Sequence, residues 1–178
     1  KIWVTSKVNQ GSTFSFTLDC ELQDAKLKNY YQPIESLINK PVLVVDDNDV
    51  ARDILVNLLT MMKFSPSAVS NGKEALSAIE HEMIRPYEII FMDWNMPGIN
   101  GIETIKQIRA MGSLTQPKII LVTAYGREVG MTDDIKHLLD GIIIKPVNPS
   151  ILCDSIMAAY GIESLELTES GKSKQQIE

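Results

Sequence analysis

Cysteine is scarce in this chain. Cys20 and Cys153 stand alone among 178 residues, with neither a paired framework nor the short spacing of a metal knuckle. Nothing therefore suggests disulfide scaffolding or a thiolate metal centre. Two thiols used as small apolar residues suit a reducing setting, and a cytoplasmic location is expected. Basic runs are lacking too. Against 23 Asp and Glu there are only 17 Lys and Arg, for a net charge of −6, which speaks against a nucleic-acid-binding surface. The longest uncharged apolar runs are strand length, so no segment is expected to span or touch a membrane. A charged-then-apolar leader pattern and internal repeats are also missing. What remains is ordinary for a globular protein, 44% hydrophobic and 22% charged, with length for one sizeable core plus extras.

The stretch that organises the rest is Ile89-Ile90-Phe91-Met92-Asp93-Trp94-Asn95-Met96-Pro97-Gly98. An apolar run ending in one carboxylate and then a turn reads as a strand buried on both faces, as in parallel sheets. Asp93 then stands at the strand's carboxyl end, the edge where open α/β sheets bind ligands. Two other runs end in the same way. Val42-Leu43-Val44-Val45 leads into Asp46-Asp47, and Ile142-Ile143-Ile144 leads into Lys145-Pro146.

Strand patterns near 42–46, 65–69, 88–93, 118–123 and 141–145 alternate with helical ones. Ala51, Ile54, Leu55, Leu58, Leu59 and Met62 form one apolar stripe. A second helix is expected from Gly72 through Ile79, and a third opens at Asn100-Gly101. A weaker fourth lies around 127–139. The fifth starts with Asn148 as N-cap and Pro149 in the first turn. Strict alternation implies right-handed crossovers and a doubly wound five-stranded parallel sheet, an α/β fold.

The chemistry follows from the strand ends. Carboxylates about 5 Å apart repel by roughly 3 kcal/mol at an effective dielectric of 20, so Asp46, Asp47 and Asp93 call for a cation. An oxygen-only ligand set favours Mg²⁺ over Zn²⁺. Lys145 adds a fixed positive charge, and a carboxylate between a metal and a lysine is poised to attack phosphorus. Thr123 ends the fourth strand, where its hydroxyl can donate to a phosphoryl oxygen. Plainer roles exist for each residue: Asp47 as the cap of the first helix, Asp93 in a turn, Lys145 solvated before a proline, Thr123 as a β-former. Their coincidence on four strand ends favours the shared site.

Outside this unit, Ile2-Trp3-Val4 and Phe14-Ser15-Phe16-Thr17-Leu18 read as strands joined at Asn9-Gln10-Gly11. Residues 23–40 read as a linker with a helical turn through Ile34 to Ile38. From Gly161 the composition becomes polar, and residues 161–178 are expected to be a disordered tail.

The strings "VLVVDDND", "IIFMDWNMPGINGIE", "LVTAYG" and "IIIKPV" make residues 41–160 closely resemble the receiver domain of two-component response regulators. The resemblance implies the flavodoxin-like strand order 2-1-3-4-5 and Asp93 as phosphoacceptor. It implies a Mg²⁺ site made by Asp46, Asp47, Asp93 and the Asn95 carbonyl, Lys145 as phosphate partner and Thr123 as switch hydroxyl. A cis Lys145-Pro146 bond is implied as well. One departure is Ile142, where the family often has an aromatic; smaller side chains or Tyr125 would then have to couple phosphorylation to that face.

Residues 1–22, "KIWVTSKVNQGSTFSFTL" above all, resemble the end of the ATP-binding domain of sensor histidine kinases. Together the two resemblances imply the receiver of a hybrid histidine kinase in a phosphorelay, on the cytoplasmic side of a membrane-anchored parent. Its partners would be a histidine phosphoacceptor (dimerisation) domain and a histidine phosphotransfer domain, meeting the first helix and the loops around Asp93. No nucleotide-binding boxes are present, so the fragment lacks kinase machinery of its own. The alternatives are a haloacid-dehalogenase-type Mg²⁺ phosphatase, disfavoured by Asn48 where a general-acid Asp is wanted, and a single-domain response regulator. A flavodoxin-like cofactor binder would need a phosphate loop where Asp-Asp-Asn-Asp stands.

Overall fold

The computed structural model describes residues 1–19, 35–82, 84–112, 115–124 and 132–162. The chain divides into two compact units, Lys1–Tyr30 and Tyr31–Glu178. Cys20, Tyr125, the start of the expected fourth helix, residues 23–34 of the expected linker and residues 163–178 of the expected tail lie outside the described residues.

In the first unit, β1 (Ile2–Lys7) and β2 (Gly11–Phe16) form an antiparallel hairpin. Asn9 and Gly11 turn it with φ of 61° and 99°, the left-handed region that asparagine and glycine tolerate best. The register pairs Ile2 with Phe16 and Val4 with Phe14, so these four side chains share one face. All four are 54–77% exposed.

In the second unit a 3-10 turn, Glu35–Leu37, lies within the helical turn expected near Ile34 to Ile38. Then come β3 (Pro41–Val45), α1 (Asp49–Met61), β4 (Ser65–Val69), α2 (Gly72–His81), β5 (Ile89–Asp93), α3 (Gly101–Ala110), β6 (Lys118–Thr123), α4 (Asp133–Lys136), β7 (Gly141–Ile144) and α5 (Pro149–Ala159). The five strands are all parallel, in the order β4-β3-β5-β6-β7. Counted within the sheet, that is the expected 2-1-3-4-5. The expected fourth helix is one turn long where it is described.

Strand alternation sends successive residues to opposite faces, and each face has its own helices. Val42, Val44, Ile89, Phe91, Ile120 and Val122 pack with Leu55 and Leu59 of α1 and Leu152 and Ile156 of α5. Leu43, Val45, Ile90, Met92, Ile119 and Leu121 pack with Ala75 of α2 and Ile102, Ile105 and Ile108 of α3. Burying each large aliphatic side chain contributes about 1.5–3 kcal/mol. The central strands β3, β5 and β6 are buried almost throughout, whereas the edges β4 and β7 are half exposed. That is why the central three read as apolar runs, whereas β4 does not; β7 keeps the run Ile142-Ile143-Ile144 although it is half exposed.

The four longer helices among the described residues begin with an asparagine whose side chain accepts the N3 amide. Asn48 takes Ala51 N–H, Asn71 takes Glu74, Asn100 takes Glu103 and Asn148 takes Ile151. Each cap is worth about 1 kcal/mol. Asn48, not Asp47, therefore caps α1, and the capping role considered for Asp47 is corrected. Asp47 lies one residue too early for its side chain to reach the first-turn amides, which leaves its carboxylate for other work.

Candidate functional site

The carboxyl ends of β3, β5, β6 and β7 meet at one rim. Val45 pairs with Met92, Asp93 with Val122, and Thr123 with Ile144. Asp46, Asp93, Thr123 and Lys145 are thus carried there by neighbouring strands. Asp46 and Asp93 are 1% and 6% exposed.

The hydrogen bonds at the rim leave little freedom. Asp46 accepts Asn48 N–H through Oδ1 at 2.9 Å and the Lys145 ammonium through Oδ2 at 2.8 Å. Asp93 accepts the same ammonium through Oδ1 at 2.7 Å and Asn95 N–H through Oδ2 at 3.1 Å. Lys145 is held in turn by its own amide, which donates to Thr123 O at 2.7 Å. The Lys145-Pro146 bond is cis. The Thr123 side chain is buried at the end of β6. Asp47 is exposed, yet one carboxylate oxygen from each of Asp46, Asp47 and Asp93 lies within 4.8 Å of the others.

Close packing from below sets where Asp93 sits. A Cβ on Gly101, at the start of α3, would come within 2.1 Å of Asp93 O. Gly101 N–H donates to Trp94 O at 2.9 Å. Only a residue without a side chain lets α3 start this close to the strand end. Gly72 does the same for α2, since a Cβ there would reach 2.1 Å from Thr104 Oγ1 of α3.

Charge is unbalanced at this rim. Burial pushes the Asp93 carboxyl above the usual carboxylate range. Its bond to Lys145 pulls the other way, and the charge of Asp46 adds to the rise. Burial also works against the Lys145 ammonium, but its hydrogen bonds to Asp46 and Asp93 outweigh that and raise its pKa. Both members of the pair are raised because Lys145 is shared between two carboxylates, while the burial of Asp93, with the charge of Asp46 added, outweighs its bond to Lys145. With all three carboxylates ionised and one ammonium between them, two negative charges remain uncompensated. The donor set is oxygen only and partly open to water, which fits a hard divalent cation.

Of the residues singled out from sequence, Asp46, Asp47, Asp93 and Lys145 come together, and Thr123 stands beside them in the register. Asn95 contributes its N–H to Asp93. Ile142 stands on edge strand β7 and is 42% exposed. A residue the sequence reading passed over is Arg52, whose guanidinium donates to Asp46 O at 2.7 Å. Its position one helical turn beyond the acidic pair was the available signal.

Comparison with known proteins gives the family and agrees with the fold. The family model of the response regulator receiver domain matches residues 42–157. The chemotaxis protein CheY homolog of Campylobacter jejuni is 30% identical over 126 residues, covering 70% of this chain and 95% of that protein. The chemotaxis protein CheY-3 of Vibrio cholerae is 28% identical over 125 residues, covering 69% and 95%. Among solved structures, response regulator TrrA of Thermotoga maritima, in complex with Mg²⁺-BeF, superposes with a TM-score of 0.59 at 30% identity, covering 67% and 98%. A CheY-like receiver domain from Methylobacillus flagellatus gives 0.60 at 26% identity, with the same coverage. The chain belongs to the response regulator receiver family of two-component signalling.

Proposed function

We propose that Asp93 is the phosphoacceptor of this receiver, that it works with Mg²⁺, and that the donor is a phosphohistidine. The observation that carries the reading is the Lys145 ammonium bridging Asp93 and Asp46 at 2.7 and 2.8 Å beside a third carboxylate. Asp46, Asp47, Asp93 and the Asn95 carbonyl would hold the ion, which when bound supplies charge neutralisation for the developing phosphoryl oxygens. A carboxylate oxygen of Asp93 forms the P–O bond as the P–N bond of the donor breaks, and the imidazole nitrogen keeps the electron pair. Lys145 swings its ammonium from the carboxylates to the incoming phosphoryl oxygens. Thr123 donates its hydroxyl to another, and the aspartyl phosphate then passes to a second histidine or to water.

The parent in this reading is a hybrid histidine kinase, with the receiver on the cytoplasmic side of the membrane. Support comes from the resemblance of residues 1–22 to the end of a kinase ATP-binding domain, and from the uncovered apolar face of the hairpin. A lone two-stranded hairpin is marginal in water, and Ile2, Val4, Phe14 and Phe16 need a partner layer such as the rest of that domain. In the described residues no helix is long and apolar enough to cross a membrane.

The experiment is transfer from a labelled phosphohistidine protein to this chain in the presence of Mg²⁺. Single-turnover labelling, lost in Asp93→Asn and chased onto a histidine phosphotransfer protein, supports the relay. Steady phosphate release that survives Asp93→Asn but not Asp46→Asn points instead to the dehalogenase-type phosphatase.

A further inference from the structure

Asp47 is the exposed member of the acidic trio, and its pose depends on the backbone that carries it. That backbone is held from an unexpected direction. Arg52, one turn into α1, folds back toward the strand end. One guanidinium nitrogen donates to Asp46 O at 2.7 Å, and another pairs with the Asp49 carboxylate. The Arg52 side chain is only 18% exposed, and its own amide donates to Asn48 O at 2.9 Å in the first turn of the helix.

The carbonyl of Asp46 belongs to the peptide plane that joins Asp46 to Asp47. Fixing that oxygen fixes the direction in which the chain leaves β3 and enters Asp47. The Asp46 side chain is already tied to Asn48 N–H and Lys145. Arg52 supplies the remaining constraint, and the rigid two-pronged guanidinium suits it, because it can hold a carbonyl and a carboxylate at once.

We propose that Arg52 is a positioning residue for the cation site: by clamping the Asp46–Asp47 peptide, it aims both carboxylates at the point they share with Asp93. This rests on the reading of the rim as a Mg²⁺ site. Charge alone argues the other way, since a nearby guanidinium repels an incoming divalent ion. The two effects therefore have opposite signs, which makes the proposal easy to test.

The experiment is calorimetric Mg²⁺ titration of the intact chain, wild type against Arg52→Gln and Arg52→Lys, paired with urea unfolding of each in EDTA. Clamping predicts that Arg52→Gln weakens Mg²⁺ binding by about tenfold, the low end for residues that orient metal ligands. Arg52→Lys keeps the charge but loses the fork, and should also bind more weakly, with apo stability close to wild type in both. Binding as tight as wild type or tighter in Arg52→Gln overturns the proposal, because only the charge would then matter. A collapse of apo stability in both variants overturns it too, since the bond would then serve the fold at large. Wild type that takes up no Mg²⁺ removes the site reading itself, a different failure with its own signature.

Discussion

Removing the Lys145 ammonium tests the charge account most severely. In Lys145→Met the two bonds at 2.7 and 2.8 Å vanish, and three carboxylates face one another alone. At an effective dielectric of 20, each lost attraction is about 6 kcal/mol and each repulsion within the trio is at least about 3.5 kcal/mol. Proton uptake and water entry absorb most of this. The measured cost of unpairing buried charges is about 3–5 kcal/mol, and because Lys145 is 26% exposed the lower end applies. We expect a loss of about 3 kcal/mol in EDTA at neutral pH. At about 2–4 °C per kcal/mol for a chain of this size, Tm should fall by roughly 6–12 °C. The pocket now carries three negative charges instead of two, so saturating Mg²⁺ should stabilise the variant more than the wild type. Urea unfolding with and without Mg²⁺ reads both effects. A variant as stable as wild type in EDTA, or one that gains less from Mg²⁺, would refute the reasoning.

Asp93 gives a pH dependence of defined sign. Its folded pKa lies above the ordinary 3.8, so the native state holds a proton the unfolded chain has lost, and stability falls as pH rises through that window. Asp93→Asn should remove this slope and be the more stable protein in EDTA at pH 7, as thermal scans from pH 4 to 8 would show. At the alkaline end, burial and then the Glu88 carboxylate push the Tyr160 hydroxyl up to about 12. That hydroxyl is buried and makes no hydrogen bond among the described residues, and Glu88 acts on it through its charge. Stability should therefore drop between pH 10 and 12, and Tyr160→Phe should flatten that drop without loss at neutral pH. Gly101→Ala must displace α3 or Asp93 O, which a Cβ would approach to 2.1 Å. A cost of about 1–3 kcal/mol is expected in urea unfolding, with slower labelling of Asp93. Asn48→Ala removes the side-chain cap of α1 but keeps the backbone N–H that Asp46 accepts, and should cost about 1 kcal/mol in urea unfolding.

The sheet was readable because β3, β5 and β6 are buried on both faces, so apolar runs mark them and a terminal carboxylate marks the rim. The edge strand β4 was readable through its place in the alternation, not through its own pattern, since Ser65–Val69 is mostly exposed; β7 was marked by its isoleucine run ending in Lys145. The convergence of Asp46, Asp93 and Lys145 followed from topology, since parallel strands put all their carboxyl ends on one side. Side-chain detail did not follow. Whether Asp47 or Asn48 capped α1 turned on one residue of helix phase, and two adjacent acceptors look alike in sequence. Arg52 sits among the polar positions of an amphipathic helix, where a solvated arginine and one folded back on a carbonyl share the same spacing. The hairpin's alternation was plain, but what covers its apolar face is not encoded within the hairpin.

The central claim is that this rim exists so that Asp93 can take a phosphoryl group. Intact-mass measurement after incubation with a small-molecule phosphodonor tests it most directly. The account predicts one added phosphoryl group in the wild type with Mg²⁺, and none in EDTA or in Asp93→Asn. An unchanged mass with Mg²⁺, or the same increase in Asp93→Asn, would contradict it.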